Sequence, residues 1–163
     1  MATNSKGRTG ESLCRELLLH FKVPMFQVDW MYRSNKDGKW KLVEMKNKQP
    51  YRRIKEDGSL WFGMGLPIDQ VTTRLEFQAD KDVRAQLIWT NVSYCDMAGH
   101  TKYVPVTFHY AWIDELEQTG DYVDIPKPRN GGKALRIYNV ELFNEITINI
   151  SMKKFKEILS GDC

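Results

Sequence analysis

Two runs rich in β-branched and aromatic residues, 26–33 and 40–46, flank the turn signal Asn35-Lys36-Asp37-Gly38. That pattern predicts a β-hairpin, and a hairpin needs a partner layer to bury its apolar face. The partner is written just upstream. Leu13, Cys14, Leu17, Leu18 and Phe21 fall on one stripe at helical spacing, with Thr9 as an N-cap and Pro24 closing the segment. About seven residues separate this helix from Asp29, which leaves no room for a separate strand ahead of the hairpin.

Downstream, residues 49–65 mix proline, glycine and charge and read as an irregular loop or lid. Pro67, followed by Ile68, Val71 and Leu75, marks a second helix. Residues 83–94 and 102–112 read as strands joined by a turn near Ala98-Gly99, and Pro105 argues that the second is an edge strand or is interrupted. Residues 114–124 carry five acids and no base, the pattern of a solvated surface segment, and 126–132 is a loop. Two further strands, 135–143 and 146–150, precede a final helix capped by Ser151 that buries Phe155, Ile158 and Leu159. The order predicts an α/β fold with a mixed central β-sheet flanked by helices.

Nothing divides the chain, so residues 1–163 read as a single domain, with core motifs in 6–95 and the strands and helix of 102–160 belonging to it. A chain of this length needs no disulfide or structural metal to fold. Its cysteines, Cys14, Cys95 and Cys163, show no paired spacing, which suits a reducing, cytoplasmic setting. No apolar run approaches bilayer length, so no membrane partner is expected. The net charge is +3, yet residues 33–55 hold nine basic side chains against Asp37 and Glu44, a local net of +7. A basic block in an otherwise acidic chain is the footprint of a phosphate-binding surface, and a solvated hairpin accounts for it equally well.

The hairpin also holds the chemistry. Acid-x-Lys triplets occur twice, at Asp37-Gly38-Lys39 and Glu44-Met45-Lys46. Asp37 belongs to the turn, whereas Glu44 sits in an apolar strand where an inward carboxylate needs a partner. With a two-residue Asp37-Gly38 turn, Asp29 faces Lys46 and Met31 faces Glu44, and the three chemical side chains share one face. A type I turn with a glycine bulge shifts the register by one and moves Asp29 to the other face; both remain open. Glu11, in the first turn of helix one, is a third candidate acid, though a Glu there also serves the helix dipole. His20, His100 and His109 lack metal-ligand spacing, and Trp30, Tyr32, Trp40, Tyr51 and Trp61 are explained by packing as readily as by base stacking.

Gly7-Arg8-Thr9-Gly10-Glu11 opening a helix, Asp29 on a strand and Glu44-Met45-Lys46 on the next resemble the PD-(D/E)XK nuclease superfamily. The similarity is greatest to archaeal-type Holliday junction resolvases and related phage endonucleases. The resemblance covers roughly residues 6–48 and implies a restriction-endonuclease-like αβββαβ core and Mg²⁺-dependent DNA hydrolysis, with Mn²⁺ as a substitute. It implies Glu11, Asp29 and Glu44 as metal ligands or their supports. Lys46 would orient water or stabilise the transition state, and Gln70 would occupy a polar position that some members use. Lys48, Arg52 and Arg53, directly after this site, are the expected DNA contacts, and a homodimer is one open assembly. The rival expectation is a noncatalytic nucleic-acid-binding module using the basic hairpin 33–55. A nuclease brings Asp29 and Glu44 together beside Lys46, whereas a binding module separates such acids or neutralises them with local salt bridges.

Overall fold

Helix α1 (Ser5–His20) starts four residues ahead of Thr9, which is buried inside it rather than capping it. The sequence hides this start behind Gly7 and Gly10. A Cβ on Gly10 would lie 3.3 Å from that of Asn47, so glycine here permits close approach of helix to sheet. Leu13, Cys14, Leu17 and Leu18 are buried as the stripe predicts, each contributing on the order of 1.5–3 kcal/mol for the larger side chains, while Phe21 stays exposed. Burial pushes the Cys14 thiol up to about 12, with the charge of Glu11 adding to the effect, so it remains protonated and inert.

The computed structural model describes residues 5–22, 25–26 and 30–160. Beyond α1 these form β1 (Met25–Phe26), β2 (Met31–Arg33), β3 (Trp40–Asn47), β4 (Tyr51–Ile54), β5 (Leu60–Pro67) and α2 (Ile68–Lys81). There follow β6 (Arg84–Thr90), β7 (Tyr103–Trp112), α3 (Ile113–Thr119), β8 (Tyr122–Ile125), β9 (Leu135–Asn139), β10 (Asn144–Ser151) and α4 (Met152–Ser160). One sheet runs β1-β2-β3-β6-β7-β10, with β3 and β6 parallel; the other runs β4-β5-β9-β8. The mixed α/β expectation holds. Two details do not: a strand does precede β2, and residues 49–65 are not a loop but the first hairpin of a second sheet.

The hairpin forms in a register that neither predicted turn provides. Ser34 and Lys39 close a four-residue loop, with Ser34 N–H donating to Lys39 O (2.9 Å) and Gly38, at φ 70°, donating to Ser34 O (2.9 Å). Lys39 N–H donates to Asp37 Oδ1 and Lys36 N–H to Ser34 Oγ, so side chains stabilise the wider loop. Met31 therefore faces Leu42 instead of Glu44. A shift of two residues leaves every side chain on its original face.

Each face of the six-stranded sheet has its own core. Val43, Ile88, Val106, Phe108, Ile148 and Ile150 pack under α1 and α4, with Phe155 and Ile158 buried as predicted. Ser151 Oγ accepts from Lys154 N–H at the start of α4. On the other face Leu42, Leu87, Trp89 and Ala111 meet Val71 of α2, Ile113 and Leu116 of α3, and Met64, Leu66 and Tyr138 of the second sheet.

The acidic segment 114–124 is structural rather than merely solvated. Arg136 on β9 donates to Asp124 through Nε (2.8 Å) and Nη2 (2.9 Å) and to Glu117 through Nη1 (2.8 Å), and Tyr138 donates to the other oxygen of Glu117 (2.6 Å). Arg84 holds Asp114 and Glu115. Pro105 is tolerated because β6 pairs with β7 only from His109 to Trp112, which leaves Pro105 bonded on one side.

Candidate functional site

Alternation along β3 puts Leu42, Glu44 and Lys46 on the face covered by α2, and Val43 and Met45 on the face covered by α1. Glu44 is largely buried at 17% side-chain exposure and needs partners there. Lys46 Nζ donates to Oε1 at 2.8 Å and Arg74 Nη2, from α2, donates to Oε2 at 3.3 Å. Arg74 has no counterpart among the residues singled out from sequence. Its spacing of four from Gln70 and Gln78 marks a polar stripe on α2, but the stripe has meaning only once α2 is docked on β3.

The direction of α2 follows from its contacts. Gln78 reaches Asp114, itself bonded to Arg84 opposite Lys41, while Arg74 reaches Glu44. The helix therefore runs antiparallel to β3 and carries Gln70 one turn further, toward the Lys46 end. Among the described residues Gln70 Oε1, Arg74 Nε and Trp89 Nε1 are buried there without a hydrogen-bond partner, as is Gln78 Oε1 at the other end of α2. Buried unpaired polar atoms are rare and costly, so three on neighbouring elements mark a place where packing has not been optimised for stability.

A row of side chains extends the site across the sheet: Lys46 opposite Trp89, Trp89 opposite His109, His109 opposite Glu145. Trp89 and His109 are stacked with ring centroids 3.9 Å apart, and His109 Nδ1 lies 3.3 Å from Glu145 Oε1. Burial holds the imidazole below its ordinary value against the pull of Glu145. Because the folded state resists this proton, the contribution of His109 to stability is full above the unfolded value of about 6.5 and is lost as pH falls from there through the lowered folded value. Melting temperatures should accordingly fall more steeply for the wild type than for His109→Gln between neutral pH and about pH 5. Parallel curves would remove His109 from the acid response.

The expected site residues are not all gathered. Asp29 lies outside the described residues. Glu11 is exposed on α1, the helix that covers the opposite face, and because α1 begins at Ser5 it is not in the first turn, which removes the helix-dipole explanation. Lys48 Nζ donates to Tyr51 OH at 2.7 Å and lies over its ring. Arg52 and Arg53 are exposed on β4, opposite Phe62 and Trp61, and so point to opposite faces of the β4–β5 ribbon. Among the described residues no group of three His, Cys, Asp or Glu side chains is placed to hold a metal. Among the described residues the Glu44 carboxylate and the Gln70 amide offer oxygen donors on the Lys46 side, a hard donor type that suits Mg²⁺ or Mn²⁺ in kind and leaves most coordination positions to other ligands. No helix among the described residues is long and apolar enough to cross a membrane.

Comparison with protein-family models, curated proteins and solved structures finds no match for this chain.

Proposed function

We propose that the protein is a Mg²⁺-dependent DNA endonuclease that hydrolyses phosphodiester bonds at the Glu44–Lys46 end of β3, with branched DNA among its substrates. The observation that carries this reading is the partly buried Glu44–Lys46 pair beside polar atoms of Gln70, Arg74 and Trp89 that have no partner among the described residues. The element order supports it: apart from the inserted β4–β5 ribbon, the chain runs α1, β1, β2, β3, α2, β6, the αβββαβ order that the resemblance implies. Glu44 and Gln70 would hold the cation, with Asp29 expected to join them. The metal, when bound, supplies charge stabilisation and a more acidic water. Lys46, released from Glu44 by the competing cation, would place its ammonium against a phosphate oxygen, and Arg74 would keep the carboxylate oriented.

A second reading has its own observation. Glu44 is neutralised by Lys46 and Arg74, as expected of a noncatalytic DNA-binding module. The deciding experiment incubates the protein with branched, duplex and single-stranded DNA with and without Mg²⁺. Metal-dependent cleavage supports the enzyme, and binding without cleavage of any substrate leaves the module.

Both readings share an expectation for the basic segment. Replacing Lys48, Arg52 and Arg53 together by Ala should weaken DNA binding and flatten its salt dependence by up to about 0.9 per lost phosphate contact, in a protein that still folds. An unchanged slope in titrations across salt would put DNA on another surface.

A further inference from the structure

The β4–β5 ribbon presents an unusual face. Arg52 lies opposite Phe62 and Ile54 opposite Leu60, so these four side chains share one side with Met64 and Leu66 further along β5. Met64 and Leu66 are fully buried against the core that contains Leu42, Leu87 and Trp89, beneath the Glu44 and Lys46 face. Toward the tip the same face is bare: Ile54 is 64% exposed, Leu60 49% and Phe62 41%. Three residues separate Asn47 from Tyr51, so the ribbon leaves the sheet at the Lys46 end. Residues 103–108 of β7 run past the last β6 partner at this same end, with Thr107 bonded to Thr147 on the polar face.

The ribbon is braced rather than loose. On its outer side the Trp61 ring lies across Gly63 and is buried, and the tip is closed by Lys55 N–H donating to Ser59 O (2.8 Å) and by Asp57 accepting from Ser59. A stiff two-stranded arm that holds an aromatic and two aliphatic side chains together in water has the character of a contact surface. The flanking charges select its chemistry: Lys48, Arg52, Arg53 and Lys55 lie on or beside the arm against Glu56 and Asp57 in its turn, and the cation on the apolar face itself is Arg52. Cations beside exposed flat and apolar side chains suit a polyanion that also offers ring faces.

We infer that the inner face of the β4–β5 ribbon, Phe62 with Ile54, Leu60 and Arg52, is a stacking surface for unpaired bases of DNA held at the Lys46 end of the sheet. The ligand class rests on the proposed DNA reading, whereas the test is independent of cleavage. Affinity is measured without divalent metal for a short duplex and for the same duplex with a single-stranded gap that carries a fluorescent adenine analogue. Wild type should prefer the gapped DNA and quench the analogue. Phe62→Ala should lower the preference roughly tenfold, the loss of one base-stacking contact, and abolish the quench, while Phe62→Trp should restore both.

A wild type without gap preference overturns the inference, as does a Phe62→Ala variant that keeps it. Loss of a dimer in Phe62→Ala with the preference intact would assign the face to a second copy instead, and also overturns it. Gap preference without Mg²⁺-dependent cleavage keeps the stacking surface and removes the nuclease. Cleavage with an unaltered preference does the reverse.

Discussion

Glu44→Ala should bind DNA as the wild type does and lose Mg²⁺-dependent cleavage by at least about 100-fold, because outer partners of metal ligands alone are worth about 10–100-fold and Glu44 would ligate directly. Lys46→Ala should lose a comparable factor. The two variants differ in what they leave behind. Without Glu44, Lys46 and Arg74 keep their charges and the site becomes more positive, so affinity for DNA holds or rises. Without Lys46, Glu44 retains Arg74 and repels phosphate unless a cation is present, so DNA binding should come to depend more steeply on Mg²⁺. Gel-based cleavage and anisotropy titrations on the same preparations check both. Normal cleavage by Glu44→Ala would end the enzyme reading.

Gly65→Ala should destabilise the protein by about 3 kcal/mol, the upper part of the range for overpacking. A Cβ at Gly65 would overlap the carbonyl oxygen of Arg136 on the neighbouring strand, and a backbone atom in a ladder cannot rotate aside. The strain would fall on the β5–β9 pairing that joins the ribbon to the Arg136, Asp124 and Glu117 network. A melting-temperature drop of about 10 °C is expected for a chain of this size. Gly58→Ala, at an exposed tip position with nothing nearby but φ 82°, should cost much less. Equal losses in thermal melts of the two variants would show that backbone conformation, not β5–β9 contact, sets the cost at Gly65.

Residues 49–65 show where local reading fails. Gly63 and Gly65 look like loop glycines, yet they are strand residues whose missing side chains admit Trp61, Ile137 and the Arg136 backbone. The reason is invisible without β9, more than seventy residues away. Thr9 resembles an N-cap by type, but helix α1 begins four residues before it and Thr9 is buried within it. The hairpin was legible in kind, with its register left to a four-residue loop held by Asp37 and Ser34 side chains.

By itself the sequence determined what periodicity and local chemistry control: the α1 stripe, the hairpin, helices α2 and α4, the shared face of Glu44 and Lys46, and the basic block. Face parity survived a register error because side chains on a strand repeat every two residues. Only the tertiary structure decided what surrounds that pair. Arg74 reaches Glu44 across 30 residues, Trp89 comes beside Lys46 with His109 stacked beyond it through strand order, and Glu11 is carried to the other face. Those placements depend on which helix covers which side of the sheet, a choice made by long-range burial between segments whose local patterns are compatible with either side.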